Sequence, residues 1–186
     1  KPESAALQRR VGVGSLVVLA ITLAAVVKYA LDGVGATAGV IAADSLRWTV
    51  DIVVLLAAMG TIALSIEYNE RHGIPHGELH VLVLFATAGM MVLAAAREFM
   101  TFFVGLEIMS VAVYVLAGMN RRSGKAAEAS LKYFLLGAFA TGFLLYGMAL
   151  IFGATGQTQF TEISRLVMRF SLGDHPLLPV GVGLVP

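Results

Sequence analysis

Glu107 lies in the middle of an apolar run, Phe99 to Ala117, that is otherwise long enough to cross a bilayer as a helix. A carboxylate at that depth is costly to insert. It must face a protein interior or a wet cavity, and intramembrane acids of this kind mark ion paths and proton relays. With about 3.6 residues per turn, Glu107, Ser110, Tyr114 and Gly118 follow one another along one helix face. An acid, a hydroxyl and a phenol thus form a polar stripe from mid-bilayer toward Arg121. The next apolar run carries Lys132, about six residues or roughly 9 Å inside the same surface, whereas Glu107 is about twelve residues in, roughly 18 Å. That offset excludes a relaxed direct ion pair; a water chain, a third residue or a lysine that exchanges partners has to link them. Glu107 and Lys132 are therefore the candidate proton-relay residues, with Ser110 and Tyr114 as candidate lining.

Each has a structural alternative. Glu107 read alone is a buried acid satisfied by a neighbouring helix, and Lys132 is near enough to the interface to snorkel its ammonium to water. Lys28 reads as a snorkelling lysine, and Arg47 with Asp51 as a local i, i+4 pair near the opposite surface. His72, His76 and His80 recur every four residues, but Gly73, Pro75 and Gly77 interrupt them, so no metal site is expected there. The chain has no cysteine, which removes disulfides, thiolate metal sites, cysteine-held iron–sulfur clusters and cysteine nucleophiles. Gly12-Val13-Gly14 begins a membrane run and lacks the rest of a nucleotide fingerprint. A net charge of +1 without a basic tail gives no footprint for nucleic acid. No residue of this chain is expected to hold a cofactor or a metal.

The elements that must position these residues are membrane helices. Of 186 residues, 58% are hydrophobic and 13% charged, with a mean hydropathy of +0.85, against about 45 to 50% apolar and about 25% charged in soluble domains. The expected fold is an all-α, polytopic transmembrane helix bundle in a single domain over 1–186. Its spans are 11–31, 46–66, 79–96, 99–117 and 126–152, each close to the roughly 20 residues that a crossing needs. A sixth run opens at Pro176 and is still apolar at Pro186; with no initial methionine, this reads as part of a longer polypeptide. The first run follows Arg9 and Arg10 like a secretory signal, with Ala36-Thr37-Ala38 as a cleavage-like site, but it exceeds a signal core of about 7 to 15 residues. If the helices alternate, Lys1, Arg9, Arg10, Arg71, Arg121, Arg122 and Lys125 share one side, against Lys28, Arg47, Arg97, Arg165 and Arg169 on the other. The short loop 120–125 is then expected in the cytoplasm. Residues 160–170 place Phe160, Ile163, Leu166, Val167 and Phe170 on one face, the pattern of an interfacial amphipathic helix. Small residues at Gly137 and Thr141, and at Ala138 and Gly142, are expected to let a neighbouring helix approach the last complete span.

Phe103-Val104-Gly105-Leu106-Glu107-Ile108-Met109-Ser110, Tyr114-Val115-Leu116-Ala117-Gly118, Glu128-Ala129-Ser130-Leu131-Lys132-Tyr133-Phe134-Leu135-Leu136-Gly137, and Tyr146-Gly147 with Gly153-Ala154-Thr155-Gly156 resemble the N subunit of bacterial NADH:quinone oxidoreductase, respiratory complex I. The resemblance is continuous from about Glu78 to Gly156 and looser before it, where Ala43-Asp44-Ser45 is similar to a short acidic turn of the family. It implies an antiporter-like proton-translocating module with two inverted five-helix repeats, of which the first helix and everything after the start of the seventh lie outside this sequence. It makes Glu107 the family's mid-membrane glutamate and Lys132 its A-L-K-Y-F lysine. It also implies a bacterial inner-membrane location, with NADH, FMN, iron–sulfur clusters and quinone on the partner subunits of both arms. Arg97-Glu98 departs from the family's Asn-Asp-like pair, which leaves the role of that hairpin open. The alternatives are the related D-type subunit of multisubunit sodium/proton antiporters, which shares the L-K-Y and G-A-T-G signatures, and a non-conducting membrane scaffold.

Overall fold

In hydrocarbon every backbone N–H and C=O must be paired within the protein, which leaves long apolar segments little choice but helix. The computed structural model describes residues 2–33, 35, 39–72, 77–169 and 176–185. Among them are seven helices: α1 Pro2–Leu31, α2 Ser45–His72, α3 Gly77–Ala95, α4 Phe99–Ala117, α5 Gly124–Thr155, α6 Phe160–Arg169 and α7 Leu177–Leu184. Each of α1 to α5 is long and apolar enough to cross a membrane. Local chemistry sets several of their ends. Asp44 Oδ1 accepts the backbone N–H of Arg47 at 2.8 Å at the start of α2, and Ser123 Oγ accepts that of Ala126 at 3.3 Å at the start of α5. Gly156 closes α5 in the left-handed conformation, φ 67°, its N–H returning to the Phe152 carbonyl.

The turns gather at two ends. At the basic end, Arg121 donates to Glu78 at 2.6 Å, tying the α4–α5 turn to the start of α3. At the opposite end the short link between α3 and α4 is spliced on both sides. The N–H of Ala42 donates to the Ala95 carbonyl and that of Arg97 to the Val40 carbonyl, while Phe99 donates to Thr158 and Phe160 to Arg97, all at 2.7 to 3.1 Å. Glu98 adds side-chain bonds from Thr101 and Thr158. The Arg97-Glu98 hairpin therefore joins the α1–α2 link to the α5–α6 link, satisfying backbone groups that irregular chain would otherwise leave open.

Two apolar cores result. Leu19 and Val26 of α1, Leu55, Ala58 and Ile62 of α2 and Val83 of α3 form one. Phe99 of α4, Leu144, Met148 and Ile151 of α5, Ile163 of α6 and Leu178 of α7 form the other. Glycines set the spacing between helices. A Cβ on Gly89 would stand 2.5 Å from the Met109 backbone nitrogen, and one on Gly105 would stand 2.7 Å from that of Leu93, so α3 and α4 touch backbone to backbone. Gly147 and Gly181 do the same for α5 and α7. The expected small-residue approach on α5 needs correction. Among the described residues Gly142 has no neighbour within 4 Å of where its Cβ would be, and Gly137 receives the Tyr114 side chain of α4, not a helix backbone. On α6, Ile163 is buried and the Phe160 ring meets Phe99 and Phe102 edge-on at 5.5 and 6.3 Å. Glu162 and Arg165 pair at 2.6 Å on its exposed side. Phe170 and the Arg169 side chain lie outside the described residues.

Candidate functional site

Glu107 sits near the midpoint of α4, half-buried. It lines an open apolar groove of about 450 Å³ with Leu82 and Phe85 of α3 and Ile108, Val111 and Ala112 of α4. Its Oε1 is buried with no hydrogen-bond partner among the described residues. An anionic oxygen held that way is short of a donor, and a proton, a water or a polar group from another segment would satisfy it.

The rest of the stripe turns toward α5. Ser110 is 9% exposed. The Tyr114 ring meets Tyr133 and Phe134 edge-on at 5.1 and 5.9 Å, and its hydroxyl occupies the gap left by the missing side chain of Gly137. Ser130 Oγ donates to the Tyr114 carbonyl at 2.7 Å, and Gly118 admits the same serine at close range. Tyr114 and Gly118 thus form the α4 side of a helix contact, with Ser110 buried one turn away on the same stripe.

Lys132 looks elsewhere. Ser130, Tyr133, Phe134 and Gly137 form the face of α5 that meets α4. Lys132 stands two positions from Ser130, about 160° around the helix from Ser130. Its ammonium is 2.5 Å from Glu128, one turn nearer the basic end, and the two side chains are 69% and 62% exposed. Glu107 and Lys132 are not brought together, because the body of α5 separates them.

Asp51 lies in the core of the helix pair that α2 makes with α1. The expected i, i+4 pair with Arg47 is present, Nε to Oδ2 at 3.4 Å, and Asp51 is fully buried. Arg47 also donates to the Ala42 carbonyl at 2.7 Å and stacks over Trp48 at 4.8 Å. The signal was present: Asp51, Leu55, Ala58 and Ile62 are spaced 4, 3 and 4 apart, so the acid shares the core-facing side of α2. His80, 1% exposed, packs where α1 has only Gly12. Among the described residues no His, Asp or Glu cluster could hold a metal, while His76 and the His72 side chain lie outside them.

Residues 96–180 match a family model described as NADH:quinone oxidoreductase/Mrp antiporter, TM. The chain is 52% identical over 134 residues to NADH-quinone oxidoreductase subunit N of Trichlorobacter lovleyi, covering 72% of this chain and 28% of the relative. It is 44% identical over 170 residues to the same subunit of Paramagnetospirillum magneticum, 90% and 34% of the two chains. The chain thus spans about three-tenths of the length of these relatives. A chain of respiratory complex I from Thermus thermophilus, solved with bound aureothin, superposes with a TM-score of 0.76 at 33% identity, over 96% of this chain and 37% of that one. An archaeal membrane-bound sulfane sulfur reductase shares the fold, with a TM-score of 0.66 at 21% identity and 97% and 43% coverage.

Proposed function

We propose that this chain, a relative of NADH-quinone oxidoreductase subunit N, works as a proton-translocating membrane subunit of such a complex, with Glu107 taking up and releasing the proton. The observation that carries the reading is the Glu107 carboxylate at mid-helix, with Oε1 buried and lacking a donor among the described residues. A structural acid in a bilayer is retained where neighbours satisfy it; one short of a donor is suited to exchange a proton with water or another group. Lys132, paired with Glu128 on the far side of α5, belongs to a separate station of the path. Groups outside the described residues must link it to Glu107. Ser110 and Tyr114 line the α4 side between Glu107 and the basic end. NADH oxidation, FMN, the iron–sulfur clusters and quinone reduction are assigned to partner subunits, and the 120–125 loop to the cytoplasmic side of a bacterial inner membrane.

The test is Glu107→Gln in the full-length subunit within its complex, read as NADH-driven proton uptake into vesicles per assembled complex. Glutamine keeps the shape and much of the hydrogen bonding but cannot cycle a proton. A fall of roughly tenfold or more at unchanged assembly is expected; wild-type uptake would overturn the assignment. The matched family description also names Mrp antiporters. Co-purification of flavin and iron–sulfur subunits supports the complex I reading, and small hydrophobic antiporter subunits alone would replace it.

A further inference from the structure

We propose that Asp51 is a second proton-exchanging carboxyl of this chain, reached through Arg47 from the membrane face where the 95–98 link is spliced. This role rests on the reading above that the chain moves protons, and it adds a station on the side away from the basic end. Asp51 is six positions beyond Ser45, the first residue of α2, about 9 Å inside that face. An ionisable side chain at such depth in a span is costly and is retained where it is firmly paired or does chemistry.

The pairing is not firm. A carboxylate fixed by arginine for structure takes two parallel bonds from the guanidinium fork. Here the fork is divided. Nε faces Asp51 Oδ2 at 3.4 Å, Nη1 donates to the Ala42 carbonyl at 2.7 Å, and the guanidinium lies over the Trp48 ring at 4.8 Å. Both carboxylate oxygens are buried, and neither accepts a hydrogen bond among the described residues. The cation is thus held by two contacts that do not need the charge of the acid, while the acid has no donor that fixes it as an anion.

The surroundings leave Arg47 as the controlling group. Helices α1 and α3 pack against the core-facing side of α2. Between Arg10 and Lys28 α1 has no titratable residue, and α3 has none between His80 and its last residue, Ala95; Lys28 itself is exposed. Arg47 is 22% exposed and Asp51 fully buried, so water meets the arginine and the chain already encloses the acid. The exchange moves one proton. Water at the exposed edge of Arg47 delivers it to Oδ2, the carboxyl becomes neutral, and the guanidinium, charged throughout, stays on Ala42 and Trp48. Release returns the proton to the same water. Because the Ala42 N–H bonds the Ala95 carbonyl, the arginine that loses and regains its acid is tied to the link that leads into α4 and Glu107.

Variants of the full-length subunit in its complex, reconstituted in vesicles, test the assignment through NADH-driven proton uptake per assembled complex. Asp51→Asn should lower uptake roughly tenfold or more. Asp51→Glu, which keeps a carboxyl on a longer arm, should restore most of it and move its dependence on the pH of the compartment that bathes the 95–98 link. If Asp51→Asn does not assemble, the Arg47→Met, Asp51→Leu double variant decides, since apolar side chains of similar volume need no counter-charge; it should assemble and still fail to take up protons. Wild-type uptake in Asp51→Asn or in the double variant, or an unmoved pH dependence in Asp51→Glu, would overturn the proposal. Loss in Glu107→Gln beside wild-type uptake in Asp51→Asn would remove Asp51 alone from the path, whereas loss in Asp51→Asn beside wild-type uptake in Glu107→Gln would remove Glu107 and keep Asp51.

Discussion

At Arg47 and Asp51 the physics is asymmetric. Asp51 and most of the Arg47 side chain leave water on folding, so their attraction largely offsets desolvation, and removing Arg47 strands the buried acid. With Asp51 fully buried, Arg47→Met should lower stability by about 3–5 kcal/mol, whereas the Arg47→Met, Asp51→Leu double variant should recover most of it. Thermal unfolding of the detergent-solubilised complex measures both, and equal losses in single and double variants would mean the charges are not coupled. Lysines permit a similar comparison for function. Lys28 and Lys132 are both exposed near an end of a span, so substitution by methionine removes a charge from a comparable depth. Only Lys132→Met should depress NADH-driven proton uptake; equal, small effects would return Lys132 to a snorkelling side chain.

Helices α3 and α4 are held at a distance that only glycine permits. Gly89→Ala would place a methyl 2.5 Å from the Met109 nitrogen with backbone, not a flexible side chain, in the way. The helices must then separate, at a cost of about 1–3 kcal/mol. Because the same pair forms the groove around Glu107, proton uptake should fall along with stability. Gly142→Ala is the matched control, since nothing lies within 4 Å of its Cβ position, and it should leave the melting temperature within error or slightly raised by helix propensity. Comparable melting shifts in the two variants would show that α3 and α4 are not in backbone contact.

For the molecule as a whole, the splice at 95–98 fixes which turns share an end. Val40 and Ala42, Ala95 to Phe99, and Thr158 to Phe160 are joined by backbone hydrogen bonds, and the Arg121–Glu78 pair marks the other end. Ser123 and Thr158 must therefore lie on opposite membrane sides, whatever the absolute orientation. The proposed orientation, from the positive-inside bias, has Ser123 on the cytoplasmic side. Absence of native cysteine makes this measurable in intact cells with the outer membrane permeabilised. A membrane-impermeant thiol reagent should label Thr158→Cys and spare Ser123→Cys; the reverse pattern would invert the topology.

The sequence by itself determined the class and the number of spans, because helix formation in lipid depends on local apolar length and on internal backbone pairing, both readable along one dimension. It also picked out Glu107, since a lone acid in an apolar run is visible without any fold. Faces were harder. The stripe Ser110, Tyr114, Gly118 was legible as a periodicity, but only packing decided that Tyr114 and Gly118 serve the contact with α5, through Ser130 and Gly137. Lys132 looked like the next station beyond Glu107, yet helix phase turns it about 160° away, toward Glu128. The Arg47 and Asp51 pair was legible from its i, i+4 spacing, but that Asp51 is fully buried depended on which neighbours cover α2. Gly89 and Gly105 gave no more signal in the sequence than Gly142; backbone contact between helices is a property of two helices' relative placement, which neither encodes alone.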